Sequence, residues 1–148
     1  MLNLFFYGNN YDVAFNIDKY IENGNLYIGM DDFNEGYPCP FGDLTVNLSA
    51  KCKENCGFVD VNNNPGIEKF IRENNLGKPT GRMLPSGWVF YPEYEFNMEI
   101  INQHLSENVK EEEIRDRYAE EESRYEEEKP YGPNMPWNAP GMKVSDFI

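Results

Sequence analysis

Three cysteines and one histidine are the residues of this chain best suited to hold a metal ion. Cys39, Cys52 and Cys56 are its only cysteines, and His104 is its only histidine. Three thiolates and one imidazole form a recognised closed set of zinc ligands. Cys52 and Cys56 have a usable local spacing, and an adjacent turn could deliver Cys39. The sequence therefore predicts a structural zinc site with no position left for a catalytic water.

An alternative is that the three thiols are ordinary buried residues. Free cysteine is among the residue types most often found in protein cores. An odd number of cysteines in a chain without an export signal favours reduced thiols or a metal over disulfides. Participation of His104, far along the chain, requires a tertiary contact, so both interpretations stay open.

Catalytic chemistry finds little support in the sequence. A nucleophilic cysteine paired with His104 lacks any accompanying local motif. Gly77-Lys78 is not a phosphate-binding loop, because Arg72 stands where that motif requires glycine and Pro79 removes a backbone donor. The sequence predicts no catalytic residue and a protein that is not an enzyme.

Strands dominate the first half of the chain. Tyr11, Val13, Phe15 and Ile17 alternate with smaller or polar residues, as expected of a half-buried strand. Short apolar runs bounded by turn residues predict further strands at residues 2–7, 26–30, 44–48, 58–61 and 88–91.

The helices are predicted further along the chain. Ile67, Phe70 and Ile71 have helical spacing, and Gly77 is a suitable stop, which predicts a helix over residues 67–75. Residues 77–87 are rich in Gly and Pro and predict a loop, while Asn97 is a candidate cap for a helix ending near His104. The expected fold is α+β: a curved antiparallel sheet of about five or six strands with a packed helix, over residues 1–104.

An acidic segment follows, which we expect to be a helical extension over residues 105–129. Residues 105–128 contain eleven acidic and four basic residues, and several Glu–Arg pairs lie four residues apart. One interpretation is a solvated helix, and the other is an arm that docks on a basic partner. The predicted contact face consists of Glu111, Glu112, Glu113, Glu120, Glu121 and Glu122. Residues 130–148 are a proline-rich tail.

The net charge of −13 limits the kinds of partner. It disfavours direct binding to nucleic acid and to anionic membranes, since both are negatively charged. It favours a basic protein surface, although acidity can also serve solubility alone. With no signal peptide and no long apolar run, the expected location is the cytoplasm.

Five passages form a distinctive combination. They are residues 44–48 (LTVNL), 60–71 (DVNNNPGIEKFI), 77–82 (GKPTGR), 86–88 (SGW) and 91–96 (YPEYEF). This combination resembles a family of small domains of unknown function carried by plasmids, conjugative elements and phages of Gram-positive bacteria. The resemblance covers roughly residues 11–105, and Cys39 and Cys52 depart from the family's pattern.

The resemblance implies a function linked to mobile elements. Some small acidic proteins of such elements are anti-CRISPR proteins that inhibit a type II RNA-guided nuclease. Such a nuclease holds its heteroduplex in a positively charged channel, which an acidic surface could occupy. We therefore expect a stoichiometric inhibitor of a defence nuclease in the bacterial host. The alternatives are an accessory factor of conjugation or element maintenance, and a small structural zinc-binding interaction module.

Overall fold

The computed structural model describes residues 1–114, whose eight strands form two antiparallel sheets. The first sheet has the order β1-β2-β3-β4, with β1 (Leu2–Phe6), β2 (Asn9–Lys19), β3 (Leu26–Asp32) and β4 (Cys39–Asp43). The second has the order β5-β6-β8-β7, with β5 (Thr45–Val46), β6 (Cys56–Val59), β7 (Gly77–Ser86) and β8 (Val89–Phe96). Residues Met1–Ile114 form one compact unit.

The hairpin of β1 and β2 closes through a two-residue turn. Tyr7 and Gly8 have φ angles of 46° and 81°, and Phe6 lies opposite Asn9. Two consecutive positive φ angles are typical of the type I′ turn, whose twist matches that of the paired strands. Alternation along β2 then buries Val13 and Phe15 in the core.

The helix α1 (Ile67–Glu73) follows β6 and covers the core. Its Ile67, Phe70 and Ile71 are buried, as their helical spacing predicted. The connection is held by Asn64, whose Nδ2 donates hydrogen bonds to the carbonyl oxygens of Asp43 (2.7 Å) and Asp60 (3.1 Å). This amide therefore ties the entry to α1 to the ends of β4 and β6.

Residues from both sheets and from the helices form the main core. Its buried members include Phe15 and Met30 from the first sheet, and Val59 and Phe96 from the second. Ile101, in the short helix α2 (Met98–Ile101), is fully buried in the same cluster. A smaller cluster of buried residues consists of Cys52, Cys56, Phe58 and Tyr91.

The mixed α and β class, the antiparallel pairing and the packed helix α1 are confirmed, but the single curved sheet is not. The eight strands divide into two sheets of four. The predicted loop at residues 77–87 is strand β7, paired with β8 despite its glycines and prolines. β8 does not end at Pro92, because the next three residues, Glu93, Tyr94 and Glu95, pair with β6.

The segment after α2 differs from the two predicted helices, one ending near His104 and the other over residues 105–129. Residues 102–104 and 106–108 form 3₁₀ turns, and Leu105 between them is extended and pairs with Phe15. Residues 111–114 are helical. The remainder of the predicted acidic helix and the proline-rich tail lie outside the described residues. None of the helices in residues 1–114 has the length and apolar character that crossing a membrane requires.

Candidate functional site

The hairpin of β7 and β8 buries a carboxylate on one of its faces. Glu93 is only 7% exposed. The Thr80 hydroxyl donates a hydrogen bond of 2.8 Å to its Oε1, and Arg82 Nη1 lies 3.4 Å from its Oε2. A buried charge requires a paired charge and hydrogen bonds to offset its desolvation, and Glu93 has both.

Arg82 is held by three different contacts. Besides Glu93, its Nη1 donates to the Lys51 carbonyl oxygen at 3.4 Å. Its guanidinium lies over the Phe58 ring, 5.4 Å from the centroid. Arginine is suited to this position because its planar cation can pair with a carboxylate and stack on an aromatic ring together. These contacts join the hairpin to β6 and to the segment before it.

Cys52 and Cys56 lie beside this carboxylate. Burial raises the pKa of the Cys52 thiol to about 12, helped by a hydrogen bond to Glu93 and opposed by Arg82. Burial, with Glu93 and Glu95 nearby, also raises the pKa of Cys56. A thiolate is the nucleophilic form of cysteine, so these protonated thiols are poorly suited to attack a substrate.

The groove along this face is lined by charges of both signs. Lys78 Nζ lies 3.7 Å from Glu95 Oε1, next to the pair of Arg82 and Glu93. The cations of the Gly/Pro-rich passage are therefore ion-paired with β8, because the strand register places Lys78 opposite Glu95. The two ion pairs join β7 to β8, so the role of these charged groups is to stabilise the hairpin.

The predicted zinc ligands lie in three different parts of the fold. Cys52 and Cys56 share the smaller core cluster, whereas Cys39 is on β4 opposite Asp32. His104 lies in the 3₁₀ turn after α2, where burial and the α-amino group of Met1 lower its pKa and Glu113 opposes them. Within residues 1–114, no three His, Cys, Asp or Glu side chains form a group that could hold a metal ion. Zinc binding stays a prediction that metal analysis must test.

The predicted acidic face is described in part. Glu111, Glu112 and Glu113 are exposed and stand at the start of the helical residues 111–114. Glu113 also has a local role, because its Oε2 accepts a hydrogen bond of 2.9 Å from the Lys110 amide and its Oε1 lies 3.8 Å from the Met1 amine. Glu120, Glu121 and Glu122 lie outside the described residues.

Sequence reasoning missed the role of the hairpin. The sequence predicted a strand over residues 88–91, but Trp88 is fully exposed, whereas Tyr91 and Tyr94 of β8 are buried. Trp88 occupies the two-residue turn with Gly87, whose φ is 61°. Glycine is favoured at the first position of a two-residue hairpin turn, because it adopts a positive φ without strain. Gly87-Trp88 could therefore have predicted a hairpin turn between β7 and β8.

The fold and this site define a small mixed α and β domain whose motif residues stabilise a hairpin. The chain belongs to the family described as domain of unknown function DUF4313, whose model matches residues 14–117. The match contains the five passages that carried the resemblance. No curated protein and no solved structure matches the chain.

Proposed function

We propose that this protein is a stoichiometric inhibitor of a type II RNA-guided CRISPR nuclease that hinders the loading of target DNA. The observation that carries the proposal is the run of three exposed glutamates, Glu111, Glu112 and Glu113, on a chain of net charge −13. Such a nuclease holds its heteroduplex in a positively charged channel. An acidic protein surface can compete with phosphates for that channel through the same charges.

Binding, as opposed to catalysis, is supported by the site of Glu93. Its carboxylate is occupied by Thr80 and Arg82, and the neighbouring Cys52 thiol has a raised pKa. These groups fix one another and the hairpin, which favours a rigid binding module. The proposal requires a cytoplasmic location in the bacterial host, where such nucleases act.

The test is target-DNA cleavage by a purified type II nuclease, titrated with the full chain, with DNA loading measured in the same reaction. We expect cleavage and loading to fall together and to reach zero near equimolar inhibitor. Loss of cleavage with normal loading would contradict the proposed step. Unimpaired cleavage by several such nucleases would contradict the function and favour the accessory factor of conjugation.

A charge-matched pair of variants tests the acidic face. The variant Glu111→Lys with Glu112→Lys should inhibit about tenfold more weakly, because charges around an interface steer association. The control is Glu54→Lys with Glu99→Lys, which changes the net charge equally at exposed positions elsewhere. A third variant reverses Glu120, Glu121 and Glu122. Equal inhibition by the first variant and the control would exclude a specific role for residues 111 and 112.

A further inference from the structure

Exposed apolar side chains are concentrated on the hairpin of β7 and β8. Seven large hydrophobic side chains are exposed in residues 1–114, and three of them lie between positions 83 and 90. They are Met83 (54% exposed), Trp88 (102%) and Phe90 (60%). Scattered exposed hydrophobic residues are ordinary, whereas a cluster of them marks an interaction site.

The strand register places Met83 and Phe90 on one face of the hairpin, and Trp88 lies in the turn between its strands. Met83 lies opposite Pro92, and Pro85 lies opposite Phe90. Because side chains alternate along a strand, Phe90 shares its face of β8 with Tyr94 and Phe96. Tyr94 and Phe96 are buried in the main core, so the same face of β8 runs from the core to the exposed tip.

The opposite face of the hairpin is anchored. Leu84 and Val89 pack against the small cluster that contains Cys52, Phe58 and Tyr91. In the middle of the hairpin, the ion pair of Glu93 with Arg82 joins the two strands. The exposed face is therefore held in a fixed shape, which lowers the ordering cost of binding.

Pairing of a partner's strand with the free edge of β7 is disfavoured. β7 is the outermost strand of its sheet, but Pro79 and Pro85 lack amide donors. Its pairing also shifts between Pro79 and Met83, around Gly81 with a φ of 94°. Prolines and bulges are the devices by which edge strands resist pairing with another chain. A partner would therefore contact the side chains of the hairpin.

We propose that the exposed tip of the hairpin, formed by Met83, Pro85, Trp88 and Phe90, docks into an apolar pocket on a positively charged protein. This inference rests on the proposed function as a binding protein and names its apolar contact. The net charge of −13 favours a basic partner over a second copy of this chain, which carries the same charge. It also opposes base stacking of Trp88 on a nucleic acid, because phosphates would be repelled. Aromatic residues and Met are enriched at protein interfaces.

The first experiment compares two double variants in the nuclease titration. Trp88→Ser with Phe90→Ser should raise the inhibition constant about 30-fold or more, as expected when hot-spot aromatic residues are removed. The control, Phe5→Ser with Ile21→Ser, removes two exposed apolar side chains elsewhere and should leave the constant unchanged. Equal urea midpoints would show that both variants are folded. An unchanged constant for the hairpin variant would overturn this inference and leave the inhibitor function standing.

A second experiment decides the inference if no nuclease is inhibited. The full chain carries a photo-cross-linking amino acid at position 90, or at the exposed control position 21, in the bacterium that encodes it. Support requires a basic protein captured at position 90 alone, identified by mass spectrometry. Purified, that protein must bind the chain with an affinity that the hairpin variant lowers and the control does not. Capture no greater than at position 21, or a product with nucleic acid, with a second copy or within one chain, would overturn the inference.

Discussion

Glu93 is the residue on which the contacts between β7, β8 and the smaller core cluster converge. We predict that Glu93→Gln lowers the free energy of unfolding by about 2 kcal/mol, since the ion pair with Arg82 is lost and a hydrogen bond to a charged group is weakened. Urea unfolding of the variant and the parent measures this change.

Glu95→Gln is the matched control for that substitution. Its partner Lys78 and Glu95 itself are 78% and 54% exposed, so water already screens their ion pair. Exposed ion pairs contribute little, and we expect a change within about 0.5 kcal/mol. If both variants lose the same stability, the special role of the buried carboxylate is refuted.

The three cysteines should differ in reactivity. Cys39 is partly exposed, whereas Cys52 and Cys56 are 7% and 5% exposed. We predict that iodoacetamide alkylates Cys39 first, because it is the most exposed, and Cys52 last, because burial and Glu93 raise its pKa to about 12. The rates should rise as the pH increases past 9.0, because the pKa of each thiol is raised above that value. Mass spectrometry of digested samples measures the order, and rapid labelling of Cys52 would contradict it.

Metal analysis of the native protein decides the zinc prediction. One zinc ion per chain, lost in Cys52→Ser, would confirm a zinc site that depends on Cys52. A metal-free native protein with normal stability would remove both structural and catalytic zinc. The experiment is informative because Cys52 and Cys56 already share a cluster and the other two residues do not.

Local spacing explains which of these residues the sequence could place. Cys52 and Cys56 share a cluster, as their separation by three residues suggested. The contact of Arg82 with Glu93 depends on the register of a hairpin, which was hidden because residues 77–87 contain prolines and glycines. Tertiary contacts of this kind are set by strand pairing, and single-residue patterns do not encode them.

At the scale of elements, one hydrogen bond joins α1 to the second sheet. The Tyr94 hydroxyl donates to Glu68 Oε1 at 2.7 Å. Burial, together with this bond and the negative charge of Glu68, raises the pKa of Tyr94 to about 12. In the unfolded chain the phenol has its ordinary value of 10.0, so the folded state retains the proton longer.

This difference predicts an alkaline loss of stability. The contribution of Tyr94 is fully present below pH 10 and is lost as the pH rises from 10 towards 12. Tyr94→Phe should therefore flatten the decline of the unfolding free energy above pH 10, measured by urea titration at several pH values. Tyr37→Phe, at an exposed tyrosine, is the control. Identical slopes in the parent and Tyr94→Phe would contradict the role of this bond.

Hydrophobic periodicity identified most elements but not their ends. Alternation indicated β2, although Asp12 and Ala14 are buried together with Val13 and Phe15, and helical spacing indicated α1, which buries one face. The predicted strand at residues 44–48 is paired only at Thr45 and Val46, since the following residues cover the small cluster instead. The division into two sheets depends on which strands pair with each other, and the hydrophobic pattern of a single segment does not specify its pairing partner.

At the scale of the whole molecule, charge should govern association. With 26 acidic and 13 basic residues, the proposed inhibitor should act on a type II nuclease most strongly at low salt. The Debye length falls from about 10 Å at 0.1 M to about 3 Å at 1 M ionic strength, so attraction between the charged surfaces weakens. Inhibition constants measured over a salt series should rise at least several-fold, and a constant value would argue against electrostatic recognition.

Composition alone predicted this acidic character, because net charge does not depend on the fold. It did not reveal that three of the seven exposed large hydrophobic side chains of residues 1–114 would lie between positions 83 and 90. The alternation of Trp88, Phe90 and Tyr94 is equally consistent with a buried face and an exposed one. Tyr94 is buried, whereas Phe90 and Trp88 are exposed because they lie beyond the end of the packed core.

Because Trp88 is fully exposed, its intrinsic fluorescence reports on the surroundings of the hairpin tip. The chain has two tryptophans, so Trp137→Phe would leave Trp88 as its sole indole emitter. Its fluorescence would shift to shorter wavelength whenever the indole leaves water for an apolar pocket. Docking could then be followed in real time, with its stoichiometry, on an otherwise unlabelled chain.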